Sequence, residues 1–131
     1  MPLYPTFDKD IRQHLGLFLE GAAYEAADII RGNLRGGRNG RWYPHLPNRS
    51  AARSEFPAEQ FGDLVDSIGY RRDSPLSVIV GSISRNGKPA PREAYELEMR
   101  PNRSQRKWLS RTMEDPATQR RMNSRGKEAA K

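Results

Sequence analysis

The sequence has no cysteine and no long apolar run, and each absence excludes a class of structure. Without cysteine the chain can form neither a disulfide framework nor a thiolate metal site, which suits a reducing cytosol. Without a run of about 18 apolar residues, no transmembrane helix is predicted. The first residues also lack the basic-then-apolar pattern of a secretory signal. The sequence therefore predicts a protein without contact to a membrane.

Large aliphatic and phenyl side chains are scarce as well. Leu, Ile, Val and Phe together account for 23 of the 131 residues, below the roughly 20% at which a highly charged chain becomes suspect as disordered. A core of this size stabilises a monomer only marginally. We therefore expect one domain, 1–131, that needs other subunits for its stability. Its predicted parts are a core over about 6–115, an extended loop at 36–55 and a basic tail at 116–131.

Acidic residues are missing from the stretch between Ile29 and Ser54, although the chain as a whole has a net charge of +7. Arginine outnumbers lysine by 18 to 5, and its planar fork suits phosphates and carboxylates at interfaces. To recognise a base sequence, side chains must be held rigidly in a groove of the DNA. These arginines are instead spread over the end of a helix and a loop. We predict a diffuse electrostatic or DNA-channel lining made by Arg31, Arg35, Arg38, Arg41, Arg49 and Arg53.

Apolar residues at i, i+3 and i+4 spacing predict a long helix over residues 6–35, running from Ile11 to Ile30 on one stripe. Thr6 is its predicted cap, and Gly36-Gly37 its end. Gly16 and Gly21 weaken the middle of this helix, which indicates the close approach of another backbone. We expect the helix to lie across a sheet.

The densest apolar run, 56–83, predicts that sheet. A short helix is expected to begin at Pro57, followed by a strand over 67–72, a turn at 73–75 and a second strand that ends at Ile83 and is covered on both sides. Further along, the sequence predicts a short helix over 92–99 and a last helix capped by Ser104, which buries Trp108 and is interrupted by Pro116. The predicted fold class is α+β: a long N-terminal helix packed on a small, mostly antiparallel β-sheet, with a long loop and a C-terminal helix.

The 36–55 segment has two competing interpretations. In one, its arginines contact phosphates and its aromatic residues stack on bases, as in proteins that bind single strands. In the other, Trp42 and Tyr43 fill a pocket of a neighbouring subunit. The second is favoured, because Pro44 and Pro47 predict a stiff extended arm. The candidate subunit-contact residues are Trp42, Tyr43, Pro44, Tyr95 and Trp108.

Nothing in the sequence amounts to an active site. Glu55, Glu59, Asp63 and Asp66 are spaced close to one helical turn apart and could hold a metal for nuclease chemistry. A solvated acidic stripe is the favoured interpretation, because no histidine or lysine is placed to complete a site. His14 and His45 lack the neighbours that metal spacing needs. We expect no catalysis, no metal and no cofactor.

Residues 40–68, GRWYPHLPNRSAARSEFPAEQFGDLVDSI, resemble the head–tail joining family of long-tailed bacteriophages, also called neck or tail-completion proteins. The resemblance spans about residues 20–115, and its similarity rests on the order and spacing of short motifs. These are Gly40-Arg41-Trp42-Tyr43, His45, Ser50-Ala51, Pro57-Ala58, Gly62 to Ile68, Val80-Gly81, Tyr95, Leu97-Glu98 and Arg106 to Leu109.

The resemblance implies a structural virion protein, made in the host cytoplasm, that forms a homo-oligomeric ring around the DNA channel. A hexamer or dodecamer would contact portal or adaptor proteins on one side and tail-tube or tail-terminator proteins on the other. Two alternatives stay open. One is a small nucleic-acid-binding regulator that uses the Arg/Gly-rich loop, and the weaker one is a metal-dependent nuclease that uses the acidic stripe.

Overall fold

The computed structural model describes residues 3–51, 55–58, 60, 62–83, 88–99 and 107–131 of the chain. The fold is α+β, as predicted: a long N-terminal helix packs against a small antiparallel sheet, and a further helix ends the chain. The elements in chain order are α1 (Leu3–Arg35), α2 (Asp63–Ser67), β1 (Ile68–Ser74), β2 (Ser77–Ser82), α3 (Arg92–Met99), α4 (Leu109–Met113) and α5 (Pro116–Ala129).

Helix α1 is the scaffold of the subunit. It begins at Leu3, so Thr6 lies inside the helix and is not its cap, and it ends at Arg35 before the predicted Gly36-Gly37 stop. Its carboxyl-terminal half buries a stripe of mostly small apolar residues. Small side chains let other elements approach the α1 axis closely, so few large residues are needed to fill the core. The buried stripe comprises Ala22, Ala23, Ala26, Ala27, Ile29, Ile30 and Leu34.

The helix predicted to begin at Pro57 is shorter than expected. Helix α2 begins only at Asp63, after Gly62, which has a φ of 82°. A left-handed φ suits glycine and marks a change of direction, so the chain around the buried Pro57 is irregular rather than helical. Phe61 lies outside the described residues. Leu64 and Val65 still join the core, as the helical spacing predicted.

Strands β1 and β2 form a hairpin whose two-residue turn is Pro75 and Leu76. The strands pair antiparallel, with Tyr70 opposite Val80. The prediction that the second strand is covered on both sides is wrong, because Ile79 is 38% exposed. A two-stranded sheet with α1 on one face leaves much of its other face open.

Helix α3 has the predicted bounds, and its Glu98 connects it to α4. The Glu98 carboxylate accepts hydrogen bonds from the backbone N–H groups of Trp108, Leu109 and Ser110, each at 3.0 Å. Burial raises the pKa of Glu98, but the hydrogen bond from the Ser110 side chain and these backbone donors outweigh burial and leave the pKa below its ordinary value. Residues 100–106 lie outside the described chain, and α4 begins at Leu109 rather than at a Ser104 cap. Glu98 thus caps α4 from a different helix.

The expected basic tail is a helix. As predicted, the helix that follows Trp108 ends before Pro116, since α4 ends at Met113. Pro116 then occupies the first turn of α5, whose cap is Asp115, with Asp115 Oδ1 accepting from the Ala117 N–H at 3.0 Å. Proline suits that position because its missing N–H would have no partner inside the helix. The sequence pattern missed α5 because the helix has few apolar residues of its own.

Two glycines let α5 pack antiparallel on α1. A Cβ built on Gly21 would lie 2.9 Å from the Arg125 carbonyl oxygen, and one built on Gly126 would lie 2.9 Å from the Phe18 carbonyl oxygen. The close approach predicted for Gly21 is therefore confirmed, with α5 as the approaching backbone. Next to this contact, the Glu25 carboxylate lies 2.6 Å from Arg121 and 3.8 Å from Arg125.

We predict that Gly126→Ala destabilises the protein although alanine favours the helix. The added methyl group meets the α1 backbone, and overpacking of this kind costs about 1–3 kcal/mol. Urea unfolding followed by circular dichroism measures the loss. Gly32→Ala is the matched control, because nothing lies within 4 Å of a Cβ there, and it should stabilise by up to about 1 kcal/mol. A Gly126→Ala protein as stable as the parent would contradict the close packing.

Candidate functional site

The segment after α1 forms a closed loop instead of the predicted extended arm. The Gly40 N–H donates to the Ser50 carbonyl oxygen at 2.8 Å, and the Ser50 N–H donates to the Arg41 carbonyl oxygen at 3.0 Å. Between these ends the chain turns where the Leu46 N–H donates to the Tyr43 carbonyl oxygen at 3.0 Å. We call residues 40–50 the aromatic loop. Its ends meet, as in Ω-loops, so it presents its tip from a fixed base.

Arg38 holds the base of the aromatic loop. Its guanidinium donates at 2.6–3.0 Å to five backbone carbonyl oxygens. Three of these belong to residues that precede Arg38, and two belong to residues that follow the aromatic loop. Burial lowers the pKa of Arg38, and the nearby Glu55 carboxylate partly opposes that shift. The N–H donors of Arg38 therefore bind the chain itself, and its role in the described structure is to hold the loop. The five acceptors belong to Asn33, Gly36, Gly37, Phe56 and Pro57.

Glu55, in the segment that follows the aromatic loop, also stabilises the base of the loop. Its carboxylate accepts from the Asn39 backbone N–H at 2.9 Å and from the Asn39 side-chain amide at 3.2 Å. Next to it, the Arg111 guanidinium lies 4.2 Å from the centre of the Phe56 ring, which connects the loop base to α4.

Glu55 is therefore not part of a helical acidic stripe with Asp63 and Asp66, which lie exposed on α2. Glu59 lies outside the described residues. Within the described ranges, no group of three or more His, Cys, Asp or Glu side chains is close enough to hold a metal ion.

The tip of the aromatic loop exposes its large side chains. Trp42 is 53% exposed and Tyr43 37% exposed, and Pro44 is exposed beside them. The Arg41 guanidinium lies 5.8 Å from the centre of the Tyr43 ring, and the His45 ring lies 6.0 Å away. An aromatic cluster of this kind on a pinned loop has the character of an interface anchor.

The other two candidates for subunit contact have different positions. Tyr95 is 70% exposed on α3 and forms part of the surface. Trp108 is only 2% exposed, and its indole N–H donates to the Ala94 carbonyl oxygen at 3.1 Å. Trp108 therefore belongs to the core of the subunit, and the prediction that it contacts a partner is wrong. Because the chain has so few other large side chains, the large apolar ring of Trp108 fills the core of the subunit.

The predicted arginine lining is also divided. Arg31 donates to the Ile68 carbonyl oxygen at 2.7 Å and so ties α1 to β1, whereas Arg53 lies outside the described residues. Arg35, Arg41 and Arg49 are exposed. Two of these, Arg35 and Arg49, line a cleft of about 390 Å³ together with Trp42. Arg38 lines the same cleft, so three of the six predicted arginines meet beside the aromatic loop.

The sequence interpretation missed one surface, at the amino-terminal half of α1. Residues 9–15 form nearly two helical turns, and all seven are exposed. Ile11 is 41% exposed and Leu15 47% exposed, although both lie on the stripe predicted to face the sheet. The missed signal was length: α1 is about 50 Å long, whereas a strand of seven residues spans only about 23 Å.

The chain has no significant match among protein-family models, curated proteins or solved structures. Among the described residues, no helix combines the length and apolar character that crossing a membrane requires.

We predict that Arg38→Lys loosens the aromatic loop, because a lysine ammonium has three donors on one atom and cannot reach five carbonyl oxygens. Hydrogen bonds from charged groups are worth about 1.5–3 kcal/mol each, so the amides of Gly40 and Ser50 should exchange about tenfold faster or more. Hydrogen–deuterium exchange measures this directly. Arg35→Lys, at the same end of α1 but exposed, is the control and should leave both amides unchanged. Equal exchange in the two variants would show that Arg38 does not hold the loop.

Proposed function

We propose that this chain is a structural subunit of the neck of a tailed bacteriophage, where it forms a ring that joins the head to the tail around the DNA channel. The proposal combines the resemblance of residues 20–115 to the head–tail joining family with the physical character of the subunit. The observation that carries it is the amount of surface the subunit leaves uncovered.

That surface is larger than a free monomer of this size needs. A folded monomer of 14.9 kDa is expected to expose about 7,000 Å², whereas this chain exposes 9091 Å². An excess of about 2,000 Å² supports a subunit that buries surface against other subunits, and a subunit in a closed ring does so against two neighbours.

The character of the exposed side chains supports the same proposal. The aromatic loop offers Trp42 and Tyr43 next to Arg41, and Trp, Tyr and Arg are the residues enriched at the energetic centres of interfaces. The loop is pinned by Arg38 and Glu55, so little conformational entropy would be lost when it docks. Portal or adaptor proteins above the ring and tail proteins below it are the further partners of the proposed neck.

We expect native mass spectrometry of the purified protein to show a ring of six or twelve subunits. Trp42→Ala with Tyr43→Ala should shift the population toward monomers while the far-ultraviolet circular dichroism stays the same. Leu76→Ala is the control, because Leu76 is 43% exposed in the hairpin turn and lies outside the aromatic loop. A protein that stays monomeric at all concentrations would rule out the ring.

A second candidate function, the small nucleic-acid-binding regulator, is favoured by the cleft that brings Arg35 and Arg49 together with Trp42. Two guanidinium groups beside an exposed indole can bind a phosphate and stack on a base. The neck proposal makes a different prediction for the same residues, because a channel lining attracts phosphates without reading a sequence.

Binding to two unrelated duplexes, titrated with salt, separates these functions. For the neck subunit we expect weak affinity, equal for both duplexes and lost at moderate salt, with a log–log slope of about −0.9 for each phosphate contacted. Arg35→Gln with Arg49→Gln should reduce that slope, whereas Arg71→Gln, an exposed arginine on β1, should reduce it less. A strong preference for one duplex that survives high salt would favour the regulator.

A further inference from the structure

We propose that the outward side of helix α5 contacts the phosphate backbone of DNA. This inference deepens the proposed function, because the neck channel supplies the DNA, and it identifies a contact surface outside the aromatic loop. The surface consists of Arg120, Asn123, Ser124 and Lys127, which we call the α5 outer face. All four residues are exposed, and their i, i+3, i+4, i+7 spacing places them on one face of the helix.

Positive charge is concentrated in this part of the chain. Residues 116–131 contain five basic residues and one acidic residue, so they contribute +4 of the net charge of +7. Repulsion between like charges destabilises a compact state, and α5 has few apolar residues to offset it. No residue of α5 belongs to the hydrophobic core cluster of the described chain. The core therefore does not explain why the helix carries so much charge.

The basic residues on the inner side of α5 are used within the subunit. Arg121 and Arg125 lie 2.6 Å and 3.8 Å from the Glu25 carboxylate of α1. The Arg125 guanidinium also lies 5.3 Å from the centre of the Tyr24 ring. Together with the close backbone contact at the buried Gly126, these interactions fix α5 on α1 and leave its outer face toward solvent.

The two cations of the α5 outer face have no such partner. Within the described part of the chain, neither Arg120 nor Lys127 forms an ion pair or a side-chain hydrogen bond. Glu128, the one acidic residue of α5, is about 80° from Arg120 around the helix axis. The negative end of the helix dipole stabilises Lys127 in the last turn, but that effect falls off within one turn and does not explain Arg120.

The composition of the α5 outer face favours a phosphate backbone as its ligand. Asn123 and Ser124 lie between the two cations, and amide and hydroxyl side chains hydrogen-bond phosphate oxygens. Arg120 and Lys127 are about 10 Å apart along the helix axis, a distance over which a duplex carries about six phosphate charges. The face has no aromatic or large aliphatic side chain, so it lacks the anchors typical of a protein interface.

Removal of the two charges tests this contact. In Arg120→Gln with Lys127→Gln, two phosphate contacts are lost, so the log–log slope of duplex binding against salt should become about 1.8 units shallower. Both side chains are exposed and glutamine is a good helix former, so the circular dichroism should not change. The matched control is Lys9→Gln with Arg71→Gln, which removes the same charge from exposed positions on α1 and β1 and should change the slope much less.

A site-specific crosslink locates the contact. Because the chain has no cysteine, Ser124→Cys provides a single attachment point for a photoactivated crosslinker in the centre of the α5 outer face. This variant should crosslink to duplex DNA. Ser74→Cys, at the exposed end of β1, is the control and should not.

Equal changes of slope in the two double variants, or equal crosslinking at the two labelled positions, would overturn the α5 contact. Poly-glutamate is the competitor for specificity. If it displaces the duplex at equal charge concentration, the face recognises an acidic protein and the DNA contact is wrong. Native mass spectrometry of the same samples separates this proposal from the neck. A ring with an unchanged slope refutes only the α5 contact, whereas a monomer whose slope falls as expected refutes only the ring.

Discussion

Close approach to α1 is the constraint on which the rest of the structure depends. The chain has too few large aliphatic side chains to fill a wide gap between its elements, so the elements must come near enough for small residues to exclude water. Alanines on α1 and the paired Gly21 and Gly126 make this possible. The sheet, α4 and α5 all pack on the same helix. A methyl group added at the wrong point of this surface therefore separates two backbones.

Partly buried polar anchors supply what the small core does not. Arg38 binds five carbonyl oxygens at the base of the aromatic loop, and Glu98 binds three N–H groups at the start of α4. Each is a single charged side chain that hydrogen-bonds backbone groups of an irregular segment. These groups have no partner from a helix or a sheet. This explains how a chain with little apolar volume holds an aromatic loop and a helix start in defined positions.

The parts of the fold that could be predicted from the sequence are those stabilised by local patterns. The spacing of Ile11 to Ile30 predicted α1, and the change of period near Ile68 predicted the hairpin. Helix α5 and the closed loop could not be predicted, because their stability comes from distant partners: α5 needs the α1 backbone, and the loop needs Arg38. The site was predicted in part, since Trp42 and Tyr43 are exposed. The apolar stripe of α1, however, does not indicate where the elements that pack on it end. The exposure of Leu15 follows from the short sheet.

The same scarcity of apolar residues connects the fold to the proposed assembly. Trp108 is buried inside the subunit, whereas Trp42, Tyr43, Ile11, Leu15 and Tyr95 are among the large side chains left exposed. A core with so few large residues leaves part of the apolar surface on the outside. In the proposed ring, a neighbouring copy would cover part of that surface without new sequence. Marginal stability of the subunit and its proposed assembly would then be two consequences of the same composition.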